Sequence, residues 1–164
     1  MIGECKIKLP LPRISVAIMN AARSTTRAER LLANVIRLGA SVLFLAAAAV
    51  VLPFPMMDFT HQLLRLGALP DIPIVQYLTR SLSALYVFHG AIMYLSASDV
   101  RCYGPLIRLM AWGDIVFGAT LFAIDAAVGM PWYWAAAEGP SLVGYAILIL
   151  WLLARSQRAV DAAH

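Results

Sequence analysis

The residues of this chain best equipped for chemistry are ionisable groups set inside apolar runs. Arg80 and His89 lie within residues 76–99, Asp114 and Asp125 within residues 105–129, and Glu138 near the start of the last apolar run. A charged side chain at the centre of a bilayer costs ~2.5–3.5 kcal/mol even on the mildest scale. Each of these groups must therefore face protein, find a partner, or serve a charge that moves. Asp114 and Asp125 are eleven residues apart, which places them within about 20° of one helical face. His89 is nine residues from Arg80, about 180° round the helix, so these two address different neighbours. Two chemistries fit. His89 and Asp114 could exchange protons, since imidazole titrates near neutral pH. Arg80, Asp125 and Glu138 form an outer polar cluster, in which a guanidinium pairs with carboxylates or binds an anionic group. The structural alternative is an ion pair between helices and a histidine bonded to a backbone carbonyl.

Other chemistries find no footing. His61, His89 and His164 fall at different depths, so neither a bis-histidine haem site nor a closed zinc site is expected. No metal and no cofactor follow from the sequence. Ser83 and His89 share a helix but not a face, and G-x-S-x-G is absent. Cys5 and Cys102 stand far apart with no C-x-x-C, so thiol–disulfide exchange is not indicated. No catalytic residue is assigned.

The elements that must position these residues are helices in a membrane. The chain is 62% hydrophobic and 13% charged, about half the charge of a typical soluble domain at roughly 25%. Six of the thirteen basic residues fall in the first thirty positions, and most others flank apolar runs. That placement reads as membrane topology and excludes a nucleic-acid surface. Residues 1–25 read as a mobile basic cytoplasmic leader, residues 26–155 as one transmembrane domain, and residues 156–164 as a cytoplasmic tail. The first apolar run begins behind a leader too long for the n-region of a signal peptide, so the first helix is expected to be retained.

Thr26 and Glu29 have capping-box spacing, which starts the first helix near Arg27. It runs to Leu52, where Pro53 and Pro55 stop it. Residues 56–66, with Asp58 as N-cap and Gly67 as the residue after the C-cap, predict a short interfacial helix with Met56, Phe59 and Leu63 toward lipid or protein. Three more helices follow over residues 75–98, 105–129 and 132–154, the last containing Pro140. The fold class is all-α: a four-transmembrane-helix bundle with an interfacial helix between the first and second crossings.

Nine Lys and Arg outside the spans fall on the side of both termini, and only Arg65 falls on the other. Both termini are then cytoplasmic. Arg80, Asp125 and Glu138 come within roughly 10 Å of the outer boundary by helical rise. Arg37 and Arg108 sit near enough to the cytoplasm to snorkel. Ser83, Gly90 and Ala97 recur every seven residues on the second helix, and Gly113, Gly118, Ala135 and Gly139 open the third and fourth. Such residues let helix backbones approach in lipid, within one chain or in a dimer.

Several phrases taken together carry a resemblance: His61 with residues 67–70 (GALP), residues 77–81 (YLTRS), Asp99, Ile124-Asp125, residues 129–131 (GMP) and residues 138–140 (EGP). They resemble a group of small bacterial four-helix membrane proteins, loosely similar to DoxX-like proteins. The resemblance covers about residues 56–154 and implies that Arg80, Asp125 and Glu138 belong to a recurring framework. It brings no activity with it. The expected function is a non-catalytic binding or accessory role in the bacterial inner membrane. Its partners are the bilayer, further copies of the chain or a larger complex. A small proton-coupled carrier, and a membrane enzyme acting on lipid or quinone, stand as alternatives.

Overall fold

A computed structural model describes residues 27–161. The basic leader, the Thr26 half of the capping box and the last three residues lie outside the described residues. Among those described, every regular element is a helix and there is no strand. The elements are α1 (Arg27–Phe44), α2 (Ala47–Val51), α3 (Phe54–Leu63), α4 (Pro73–Ser96), α5 (Gly104–Val128) and α6 (Trp132–Asp161). Among the described residues, three stretches are long and apolar enough to cross a membrane: Arg27–Val51, Gly104–Val128 and Trp132–Arg158. Helix α4 has 24 residues, or ~36 Å at 1.5 Å per residue. It has the length to cross, but its polar residues keep it outside that apolar set.

Punctuation residues set most boundaries. Pro73 and Pro105 occupy first turns, where their missing N–H costs nothing. Gly129 ends α5 in the left-handed region at φ 75°, and Met130 N–H donates back to the Asp125 carbonyl at 2.9 Å.

Four boundaries differ from expectation. The first helix breaks at Leu45–Ala46, where Leu45 and Ala46 N–H donate to the carbonyls of Val42 and Leu43, each at 3.1 Å. These are i→i+3 bonds of 3₁₀ type, and beyond them α2 packs on α4. Helix α3 starts earlier, at Phe54, because Asp58 is not its cap. Its two carboxylate oxygens accept from Leu69 N–H and Gln62 Nε2, each at 2.7 Å. The left-handed residue closing α3 is Arg65 at φ 58°, two residues before Gly67, which is left-handed as well at φ 88°, and Leu66 N–H returns to the His61 carbonyl at 3.1 Å. Finally, α6 passes Pro140 without ending and continues to Asp161. Residues expected to begin a tail are part of the packing: Ser156 is buried and Gln157 Oε1 accepts from Arg108 at 3.0 Å.

Met56, Phe59 and Leu63 of α3 point away from the protein, while Met57 is buried. The long helices lie in the spatial order α4, α1, α6, α5. Neighbours are antiparallel: Arg80 at the start of α4 reaches the end of α2, and Arg108 at the start of α5 reaches the end of α6. The α4–α5 seam is the thinnest. The apolar core gathers at the end bearing Arg101, where Leu32, Ile36, Met93, Ile107, Leu152 and Leu153 are buried together. At the opposite, proline-rich end the buried residues are fewer and include Ser83 and Asp125.

Candidate functional site

Helix α4 turns its two ionisable groups to different neighbours, as their half-turn offset requires. His89 faces α5, where its Nε2 lies 3.4 Å from Asp114 Oδ1. That is an ion-pair distance with little hydrogen-bond strength. His89 is half-buried and Asp114 is nearly covered, so the pair bridges the thin α4–α5 seam with the histidine on its accessible side. Behind it Asp114 and Ser96 line a cavity of ≈ 10 Å³ among Ile36, Met93, Ile107 and Ile149. A water molecule needs about that much room and polar partners. The two residues expected to exchange protons are thus brought together.

Arg80 corrects the sequence reading. The expected ion pair with Glu138 or Asp125 does not form. Its guanidinium donates to the carbonyls of Val50 at 2.5 Å and Leu52 at 3.0 Å. These carbonyls close the first span just before Pro53. The last four carbonyls of a helix have no partner inside it, and they carry the negative end of the helix dipole. In a bilayer no water satisfies them. Arg37 does the same at the opposite end, donating to the Ala97 carbonyl at 3.2 Å where α4 stops. It also reaches Asn34 Oδ1 at 3.4 Å, so it does more than snorkel. The antiparallel pair α1–α2 and α4 therefore exchange arginine caps, one at each end.

Glu138 and Asp125 are thus without the expected arginine. Glu138 Oε2 accepts from Trp134 Nε1 at 2.6 Å within α6. Asp125 lies within its electrostatic reach from α5, and Tyr86 from α4. Asp125 is 7% exposed, and its Oδ2 is buried without a hydrogen-bond partner. The seam holding them is fixed by glycine. A Cβ on Gly139 would stand 2.5 Å from the Gly118 carbonyl oxygen, and one on Gly118 would stand 2.8 Å from the Gly139 carbonyl oxygen. Gly118, Gly139 and Ala135 thus pack inside the chain, whereas a Cβ on Gly113 would meet nothing within 4 Å. Gly90 plays a similar part between α4 and α1, with Ala40 and Leu43 against it.

One pair escaped the sequence reading. Glu29, 2% exposed in the first turn of α1, is held by Arg101 from the α4–α5 connection, through both Nε and Nη2. The Glu29 hydrogen bond, above all, holds the Arg101 guanidinium above its ordinary value. Asp99 shapes that connection by accepting from Arg101 and Cys102 N–H at 3.2 and 3.0 Å. Cys102 is not a free thiol. At the proline-rich end, His61 Nδ1 bonds the Gly67 carbonyl at 2.8 Å. Tyr133 Oη donates to the carbonyls of Leu64 and Arg65 at 3.1 and 3.0 Å, tying α6 to the end of α3. No group of three or more His, Cys, Asp or Glu stands together among the described residues. Comparison with known protein families, curated proteins and solved structures finds no match to this chain.

Proposed function

We propose that this is an integral protein of the bacterial cytoplasmic membrane with a non-catalytic binding or assembly role. In this reading α1–α2, α4, α5 and α6 make four crossings, α3 lies in the outer interface, and both termini are cytoplasmic. The carrying observation is where the arginines go. Arg37 and Arg80 are engaged by the ends of neighbouring helices, and Arg101 by Glu29. The bound Arg80 takes away the motive for a lipid or quinone enzyme, which needed that guanidinium for an anionic head group. Extraction in a mild detergent, followed by native mass measurement, tests the role. The expected result is a defined oligomer or a stoichiometric complex. A lone monomer that turns over a substrate contradicts it.

The His89–Asp114 pair specifically favours the second reading, a small proton-coupled carrier. It supplies a titratable group and a carboxylate on two helices that meet weakly. Reconstitution in liposomes separates the readings: proton-linked flux lost in Asp114→Asn supports the carrier, and no flux for any solute supports the accessory role.

A further inference from the structure

Helices α5 and α6 carry the same two residue types at the Arg101 end of the molecule, in opposite order. On α5 Arg108 stands one turn outside Trp112, and on α6 Arg155 stands one turn outside Trp151. All four are exposed, Trp112 at 57% and Trp151 at 51%. The Arg155 guanidinium lies over the Trp151 ring, 4.6 Å from its centroid, within cation–π range. Arg108 Nη2 donates to Gln157 Oε1 at 3.0 Å, which sets the level of α5 against α6. Gln157 is two residues beyond Arg155, so the two arginines differ by only about 3 Å in depth, and so do the two tryptophans. Absolute depth follows from the other end of α6. Trp132, also exposed, lies nineteen residues from Trp151, or ~28 Å of helical rise. A hydrocarbon core is ~30 Å thick. Trp132 and Trp151 thus mark its two boundaries, where indole rings collect. Arg155 stands ~6 Å further out, within the head-group layer.

We infer that this face of α5 and α6 binds the head groups of anionic phospholipids, with Arg108 and Arg155 on phosphate oxygens and Trp112 and Trp151 along the upper acyl chains. Charge complementarity decides the partner. Among the described residues no ion pair includes Arg108, Arg155 or the exposed Arg158, three residues further on. Two carboxylates at that end are engaged elsewhere, Glu29 by Arg101 and Asp99 by the N–H groups of Arg101 and Cys102. The ring under Arg155 and the amide beside Arg108 hold each guanidinium in place and leave most of its five N–H donors free for phosphate oxygens. A zwitterionic head group also offers a phosphate, but it brings its own ammonium into the same positive field, so the net attraction belongs to the anionic lipid. An acidic protein segment would first have to displace lipid from two tryptophans at boundary depth. The inference rests on the reading of the chain as a membrane protein and deepens its binding role.

The full-length protein, stripped of lipid in a neutral detergent, tests it. Native mass measurement and thermal unfolding compare added phosphatidylglycerol, phosphatidylcholine and sodium phosphate. The expected result with phosphatidylglycerol is retained lipid adducts and a saturable rise in Tm of about 5 °C. Phosphatidylcholine and sodium phosphate should leave Tm unchanged. Arg108→Ala and Arg155→Ala should each lower the rise, and the double variant should abolish it. Should the double variant fail to fold by circular dichroism, the adducts on the wild-type protein decide: retention of phosphatidylglycerol over phosphatidylcholine supports the site, and equal retention overturns it. An equal rise with both lipids, a rise with sodium phosphate that matches phosphatidylglycerol, or a rise that survives the double substitution also overturns it. Washing membranes with alkaline carbonate separates the two failures. A chain released by the wash overturns the membrane reading and this inference with it. A chain retained in the membrane but indifferent to lipid charge overturns this inference alone.

Discussion

Gly139→Val is expected to destabilise the protein by about 3 kcal/mol, the upper part of the range for overpacking a tight interface. In lipid no hydrophobic force draws helices together, so their association rests on close van der Waals approach. Helices α5 and α6 make that approach at Gly118 and Gly139. The first atom a Cβ on Gly139 meets is the Gly118 carbonyl oxygen, at 2.5 Å, followed by Phe122 Cβ at 2.9 Å and the Phe122 backbone nitrogen at 3.0 Å. Two are backbone atoms in the middle of a helix and the third is fixed to that backbone, so none can turn aside as the far end of a side chain does. Valine adds two methyl groups to that clash. Gly144→Ala is the control, because nothing lies within 4 Å of a Cβ there. Its effect should stay near the ~1 kcal/mol difference in helix propensity and favour the variant. Reversible SDS unfolding followed by circular dichroism reads both. Equal behaviour of the two variants would mean that α5 and α6 do not meet at this seam.

The same seam shows what the sequence discloses and what it withholds. Small residues at helical spacing marked Gly118, Gly139, Ser83 and Gly90 as packing positions, because glycine within a membrane helix has few other uses. Proline and glycine placed the start and the end of α5 for reasons of backbone geometry alone, while α4 begins two residues earlier than expected, at Pro73. The partner of Arg80 was not legible in this way. Charge pattern and depth pointed to Glu138 and Asp125, but pattern counts only side chains. A helix end in a bilayer carries carbonyls as hungry for a donor as a carboxylate, and nothing in the one-letter sequence marks them. The error at Arg65 has the same character. Gly67 was the better left-handed residue by steric preference, yet Asp58 and His61 hold the following turn through Leu69 and Gly67, and this puts the helix end at Arg65. His89 and Asp114 were named together on depth, but the half-turn offset left the neighbour of His89 open, and only the packing of α4 on α5 brings the two to 3.4 Å.

Arg101→Ala is expected to cost about 2–3 kcal/mol. Breaking a fully buried pair costs ~3–5 kcal/mol because the other charge is stranded. Here the figure is discounted, since the Arg101 side chain is 40% exposed while that of Glu29 is 2% exposed. The pair closes the Arg101 end of the molecule, linking residues 72 positions apart. Glu29 carries the argument: with Arg101 gone, its carboxylate stays buried and loses a two-pronged donor. Glu29→Gln alone should cost less, because the amide is neutral and Arg101 can turn to water. The double variant should therefore recover part of the Arg101→Ala loss, giving a coupling of at least about 1 kcal/mol in a double-mutant cycle. Strict additivity would show that the two side chains do not meet in the folded protein.

The central claim is that α4, despite Arg80 and His89, is a membrane crossing. Three crossings would put the two termini on opposite sides, and four put them on the same side. A reporter active only in the cytoplasm, fused after His164, together with a second inserted at Asp99 between α4 and α5, measures this directly. Residues 97–103 and the C-terminus are joined to the basic flank by the positive-inside count, so both reporters should be active. An inactive C-terminal reporter, with its periplasmic counterpart active at the same site, would contradict the four-crossing account.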